Sequence, residues 1–341
     1  MTNTGDIKDK EKDMLVKSEN LLRKFCISLC SFSGIMLAIM LVHLMTRSVV
    51  ISGAMENDLT DGALDEKDID LQVSDFEKSD TISIEFDSSV SSSDISIENH
   101  YFSKEMYVIV KGNLDIEKNI KTISKNVEGI SASFFDDITY IKFELDDIYE
   151  YSSSFCDMQL NIGTKKPADS YENIVVIDPI VGDDCILDKD CVIEIANNIE
   201  DSLEELNIKA YILLDEYEVT DLSQADKIAA INSINPDFTV VLTEGDDFVT
   251  YYNDIYLRNY DNLDFAKQIA ADISYELGLD SCNIENFDIE EYDLLNHLSM
   301  PSAYVEIVCG GKEENKDSNE KIADAITKAI GYAYQSIEEI L

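Results

Sequence analysis

Imidazole is scarce in this chain: among 341 residues there are three histidines, His43, His100 and His297. Carboxylates are abundant, with 70 Asp and Glu against 26 Lys and Arg and a formal net charge of −44. The stretch that invites a chemical reading is Asn173–Asp184, NIVVIDPIVGDD, whose loop is acidic and lacks histidine. A catalytic zinc site takes three protein ligands and an open position for water. The three histidines are too scattered to meet that need: His43 lies beside an apolar segment, His100 in an earlier region, and His297 just before Met300-Pro301. Clustered carboxylates without imidazole suit a hard cation such as Ca²⁺ or Mg²⁺. Of seven cysteines, Cys26 and Cys30 lie one helical turn apart in an apolar segment. Cys156, Cys185, Cys191, Cys282 and Cys309 follow, with no Cys-x-x-Cys pair and no zinc-ribbon spacing; Cys185–Cys191 is a candidate disulfide.

The elements that would position these groups can be read from periodicity. Ile174–Ile177 is a short β-branched run ended by Asp178-Pro179, which reads as a buried strand entering a loop. Proline has no N–H to donate to a ladder, and in an open α/β sheet the loop after such a strand is where chemistry sits. Val192, Ile195, Ala196, Ile199, Leu203 and Leu206 recur at helical spacing. Further strands are predicted at Ile208–Leu214, Phe238–Leu242 and Ala303–Val308. Helices are predicted near Ser223–Ile234, over Phe265, Ile269, Ile273 and Leu277 with Gly278 as the stop, and over Ile322, Ile326, Ile330, Ala333 and Ile337. Strands alternating with helices predict a mostly parallel sheet with helices on both faces, an α/β fold.

Four stretches carry a family resemblance: IVVIDP at Ile174–Pro179, DKDCVIEIA at Asp188–Ala196, DLSQADKIAAINSINPDFTVVLT at Asp221–Thr243, and MPSAYVEI at Met300–Ile307. In this order they resemble the zinc-dependent N-acetylmuramoyl-L-alanine amidases of bacterial cell walls, over residues 172–341. The resemblance implies a site built from two histidines and a glutamate around zinc, with a second, catalytic glutamate. At the corresponding positions this chain has Val181, Asp188 and Thr243; Glu306 alone keeps the family residue, at the catalytic position. The resemblance also implies that Asp183, Asp184, Asp188, Glu244, Asp246 and Asp247 converge near Glu306, as a hard-cation cluster or simply as solvated loop acids.

Zinc lowers the pKa of its water from about 15.7 to about 7, roughly 12 kcal/mol of help in forming hydroxide. A lone general base contributes about 10²–10⁴-fold, or roughly 3–5 kcal/mol, so Glu306 by itself does not replace the metal. The expected function is therefore a non-catalytic amidase-like protein of the bacterial envelope. It would bind peptidoglycan or an envelope protein in wall remodelling, division or sporulation, with no zinc and no required cofactor. The alternatives are an active amidase hydrolysing the muramoyl–L-alanine bond at a rebuilt carboxylate metal site, and a scaffold in which the α/β domain is bulk.

Residues 1–24 read as a cytoplasmic tail and 25–46 as a spanning helix, since about 20 mostly apolar residues suffice. The lysines and arginines before it place the amino terminus inside and the remainder outside, in a single-pass cell-membrane topology; a cleaved signal peptide is the alternative. The charge is asymmetric, with 7 basic and 5 acidic residues in 1–47 and all the remaining negative excess beyond. A surface this acidic excludes nucleic acid and anionic lipid as partners by charge. Residues 47–80 read as an acidic flexible spacer. Residues 81–164 read as a small all-β, sandwich-like domain, from the alternation of Ile82, Ile84 and Phe86, of Met106, Val108 and Val110, and of Ile141, Phe143 and Leu145. Its position before an amidase-like domain resembles that of an AMIN domain; an unrelated β spacer fits equally.

Overall fold

The computed structural model describes residues 69–87, 90–181, 191–214, 222–256, 260–286, 293–309 and 316–340. The expected tail, spanning helix and most of the spacer, with Cys26, Cys30, His43, Asp183, Asp184, Cys185 and Asp188, lie outside the described residues. Among the described residues no helix is long and apolar enough to cross a membrane.

The first part of the fold is built from strands. They are β1 (Ile69–Leu71), β2 (Glu77–Ser79), β3 (Thr81–Glu85), β4 (Ile95–His100), β5 (Glu105–Lys111), β6 (Ile120–Ser124), β7 (Val127–Phe135), β8 (Ile138–Leu145), β9 (Glu150–Cys156) and β10 (Gln159–Lys165). They form two five-stranded sheets, ordered β1-β7-β8-β5-β4 and β2-β6-β3-β10-β9. The alternating residues named above are all buried, and those of both sheets meet in one apolar core. Alternation puts one face of each strand inward, so two such faces close on each other. The hairpins β7–β8 and β9–β10 turn on Asp136-Asp137 and Asp157-Met158, all four with positive φ, the backbone twist that two-residue hairpins favour.

The spacer boundary at Asp80 needs correction. Ile69 pairs with Ala132 through β1, and Glu77 with Thr122 through β2. Leu71, Val73 and Phe76 pack against the sandwich core. Their irregular spacing hid them, because a three-residue strand is too short to show a period of two.

The second part comprises β11 (Ile174–Pro179), α1 (Cys191–Glu205), β12 (Lys209–Ile212), α2 (Gln224–Ile234), β13 (Phe238–Glu244), β14 (Val249–Tyr252), α3 (Asn262–Leu277), β15 (Asn283–Asn286), β16 (Ser302–Ile307) and α4 (Lys316–Ile340). The sheet order is β12-β11-β13-β16-β14-β15. The first four strands are mutually parallel, and β14 runs antiparallel to β16. β14 and β15 were not legible in the sequence, since the Tyr- and Asp-rich segment around them reads as a loop. One face of the sheet is covered by α1, α3 and α4, with Ile195, Phe265, Ile269, Ile326 and Ile330 fully buried. The other is covered by α2 and the 3₁₀ turn Asp293–His297. Asn235 and Gly278 end α2 and α3 in the left-handed conformation. Leu206, placed on the buried stripe from its spacing, lies past the end of α1 and is exposed.

The two parts meet along the β12 edge. Ile148 inserts into the core on the α2 face, with Tyr101 and Phe102 packed beside it. Asp147 accepts hydrogen bonds from Lys166 Nζ and Ser233 Oγ. The Glu150 carboxylate accepts from Tyr211 Oη at 2.5 Å and Tyr171 Oη at 3.3 Å. Tyr101, in the turn after β4, stands edge-on to Tyr211 of β12 with ring centroids 5.4 Å apart.

Candidate functional site

The parallel strands deliver the candidate residues to one end of the second sheet. On β16, Ala303, Val305 and Ile307 enter the core under α1, α3 and α4, so Tyr304 and Glu306 point to the α2 face. The same alternation on β13 sends Val241 and Thr243 to that face. Thr243 and Glu306 are register partners, and their half-buried side chains are therefore neighbours.

What Glu306 touches is a phenol. Tyr251 Oη on β14 donates to Glu306 Oε2 at 3.2 Å, and the Tyr251 ring stands edge-on to Tyr304 at 5.7 Å. Burial, and then the Glu306 charge, push the Tyr251 phenol up to about 12. It stays protonated and donating over the physiological range. Gly245 presses against the same carboxylate: a Cβ there would lie 3.0 Å from Glu306 Cβ and 3.2 Å from Oε2. Its N–H continues the ladder to Ile307 O at 2.9 Å. No side chain larger than hydrogen keeps both contacts without a shift.

One layer deeper, Asp178 on β11 is fully buried and faces Lys227 of α2 at 2.8 Å, the lysine itself being 2% exposed. Lys227 had a legible signal. With Ala230, Ile231 and Ile234, all buried, it falls at i, i+3, i+4 and i+7 of one helix face, so spacing alone puts a cation in the core. Tyr251 and Gly245 carried no such signal, because they come from a segment without visible periodicity.

Val181 and the acids flanking Gly245 lie at this same end of the sheet. Val181 is half-buried just past β11. Glu244, Asp246 and Asp247 are exposed at the turn between β13 and β14. Among the described residues no group of three or more His, Cys, Asp or Glu side chains is placed to hold a metal ion. His297 is exposed in the 3₁₀ turn that precedes β16. Glu306 lies four residues beyond the first residue of β16, about 13 Å along the strand. His100 lies against β12, where it lines a small cleft of about 120 Å³ with Tyr101, Lys209 and Tyr211. β12 stands three strand spacings from β16, about 14 Å.

Zinc is held by thiolate, imidazole or carboxylate. Val181 offers no donor and Thr243 only a neutral hydroxyl, so the described residues at the resembled ligand positions do not fit it.

A covalent link also reaches this end of the sheet. Cys191, the first residue of α1, is bonded to Cys309, with Cα atoms 6.1 Å apart and 118 residues of sequence between them. This corrects the Cys185–Cys191 candidate: sequence proximity suggested a small loop, whereas the fold brings the helix start to the segment after β16. Cys156 is an exposed thiol and Cys282 a buried one.

No family model matches the chain, and no curated protein sequence matches it. Among solved structures it is similar to N-acetylmuramoyl-L-alanine amidases. The amidase AmiC2 of Nostoc punctiforme is 21% identical, over 48% of this chain and 98% of that one, with a TM-score of 0.38. The amidase of Clostridium difficile 630 is 19% identical, over 49% and 97%, at 0.38. Ami1 of Mycobacterium smegmatis is 16% identical, over 49% and 98%, at 0.40. These are likenesses of fold over about half of this chain, and they leave its chemistry to its own residues.

Proposed function

We propose that the chain is an extracytoplasmic, membrane-anchored, amidase-like protein of the bacterial envelope that binds peptidoglycan, or a protein partner in the wall, without hydrolysing it. The observation that supports this reading is the company Glu306 keeps. A general base that activates a metal-bound water must face that water, whereas Glu306 faces a phenol, a threonine and a glycine. Val181 and Thr243 supply no zinc ligand. What remains is a half-buried carboxylate beside tyrosines, a surface suited to hydrogen-bonding hydroxyl and amide groups.

The test uses purified full-length protein, isolated sacculi and a muramoyl-peptide substrate. Co-sedimentation with sacculi and no release of muropeptides, with or without added Zn²⁺, Ca²⁺ or Mg²⁺, is the expected result. Release that Glu306→Gln abolishes would overturn the reading in favour of an active amidase. Failure to co-sediment, with no release, would leave the scaffold alternative.

A further inference from the structure

The strand that carries Glu306 and helix α1 share β13 and one apolar core, with β14 and α3 also packed on the strand and β11, β12 and α4 on the helix. The Cys191–Cys309 bond crosses between them, three residues beyond Glu306. Cys191 also opens a fifteen-residue helix. A thiolate at a helix N-terminus is stabilised by the backbone dipoles, which makes it the better leaving group in exchange and favours the reduced form.

We propose that the Cys191–Cys309 bond is a redox-sensitive clasp on the Glu306 end of the sheet. Oxidised, it ties the first turn of α1 to the segment that follows β16. A dithiol reductant opens it by exchange. One reductant thiolate attacks Cys309 Sγ, the S–S bond breaks, and Cys191 leaves as thiolate. The second reductant thiol then displaces Cys309 and closes the reductant's own disulfide. Two electrons and two protons pass to the protein, and the dithiol is left oxidised. The clasp is independent of what binds at this end, so it stands or falls separately from the proposed function.

The experiment is peptide mapping of the air-oxidised full-length protein without reduction, followed by hydrogen exchange and thermal unfolding with and without dithiothreitol. The expected crosslink joins the peptides holding Cys191 and Cys309. Reduction should speed exchange at 191–195 and 303–309 while leaving the β3–β10 amides unchanged, and lower Tm by about 10 °C. Cys191→Ser should match the reduced protein and show no further response to the dithiol, whereas Cys156→Ser should behave as wild type. A crosslink between Cys185 and Cys191, or free thiols at Cys191 and Cys309 in the oxidised protein, would overturn the proposal. So would an unchanged exchange pattern once thiol labelling shows the bond reduced. The mapping needs no variant, so it decides even if Cys191→Ser does not fold.

Discussion

Asp178 and Glu306 sit on the same face of one sheet and are answered differently. Asp178 is fully buried and meets an ammonium, Lys227; Glu306 is half in water and meets a phenol, Tyr251. The difference follows from solvation. An ionised carboxylate withdrawn from water demands an opposite charge, because leaving it unpaired costs several kcal/mol. One that keeps water needs only a donor. The inner carboxylate is thereby committed to the fold, whereas the outer one sits at the solvent boundary and is held by a neutral donor.

The contrast can be broken from its deep end first. Lys227→Met should destabilise the protein by about 3–5 kcal/mol in chemical denaturation, since it takes the ammonium away from a fully buried carboxylate. Combining it with Asp178→Asn should restore much of that loss; additive losses would mean the pair is not coupled. Glu150 offers an intermediate case, a carboxylate at the junction of the two parts held by Tyr211 and Tyr171. Glu150→Gln should cost about 1.5–3 kcal/mol, and a loss matching that of Lys227→Met would erase the distinction drawn here. At the shallow end, Tyr251→Phe should cost about 0.5–1.5 kcal/mol. A larger loss would make Glu306 a second structural charge.

The smallest effect is one of pH. The Tyr251 phenol is raised to about 12 from an ordinary 10.0 by burial and by Glu306. Its contribution to stability is therefore complete below pH about 10 and is lost as pH rises through about 12. Absorbance titration at 295 nm should show one tyrosine fewer ionising near pH 12 in Tyr251→Phe than in wild type. A difference centred near pH 10 would mean that Glu306 and the phenol do not interact.

The same contrast explains what could be read in advance. Buried strands and helices declare themselves, because burial forces a period. β11 is buried at all six positions, and Ile322, Ile326, Ile330 and Ala333 lie on the covered face of α4. Lys227 belongs to this legible class, as a charge at a core position. Tyr251, Gly245 and Cys309 do not, since a half-exposed strand and a segment past a strand end obey no hydrophobic rhythm. β1 and β2 escaped for a related reason: their place is set by backbone pairing with β7 and β6, which any short sequence can supply.

By itself the sequence determined the alternation of strands and helices, the faces they bury, and the scarcity of imidazole. Those properties are local, fixed by residue type and spacing. Tertiary structure decided which groups answer Glu306, that Asp178 meets Lys227, that Cys191 joins Cys309 across 118 residues, and that Tyr101 of the β4–β5 turn meets Tyr211 of β12. Such pairings depend on strand order and register, which bring together residues that have no relation along the chain.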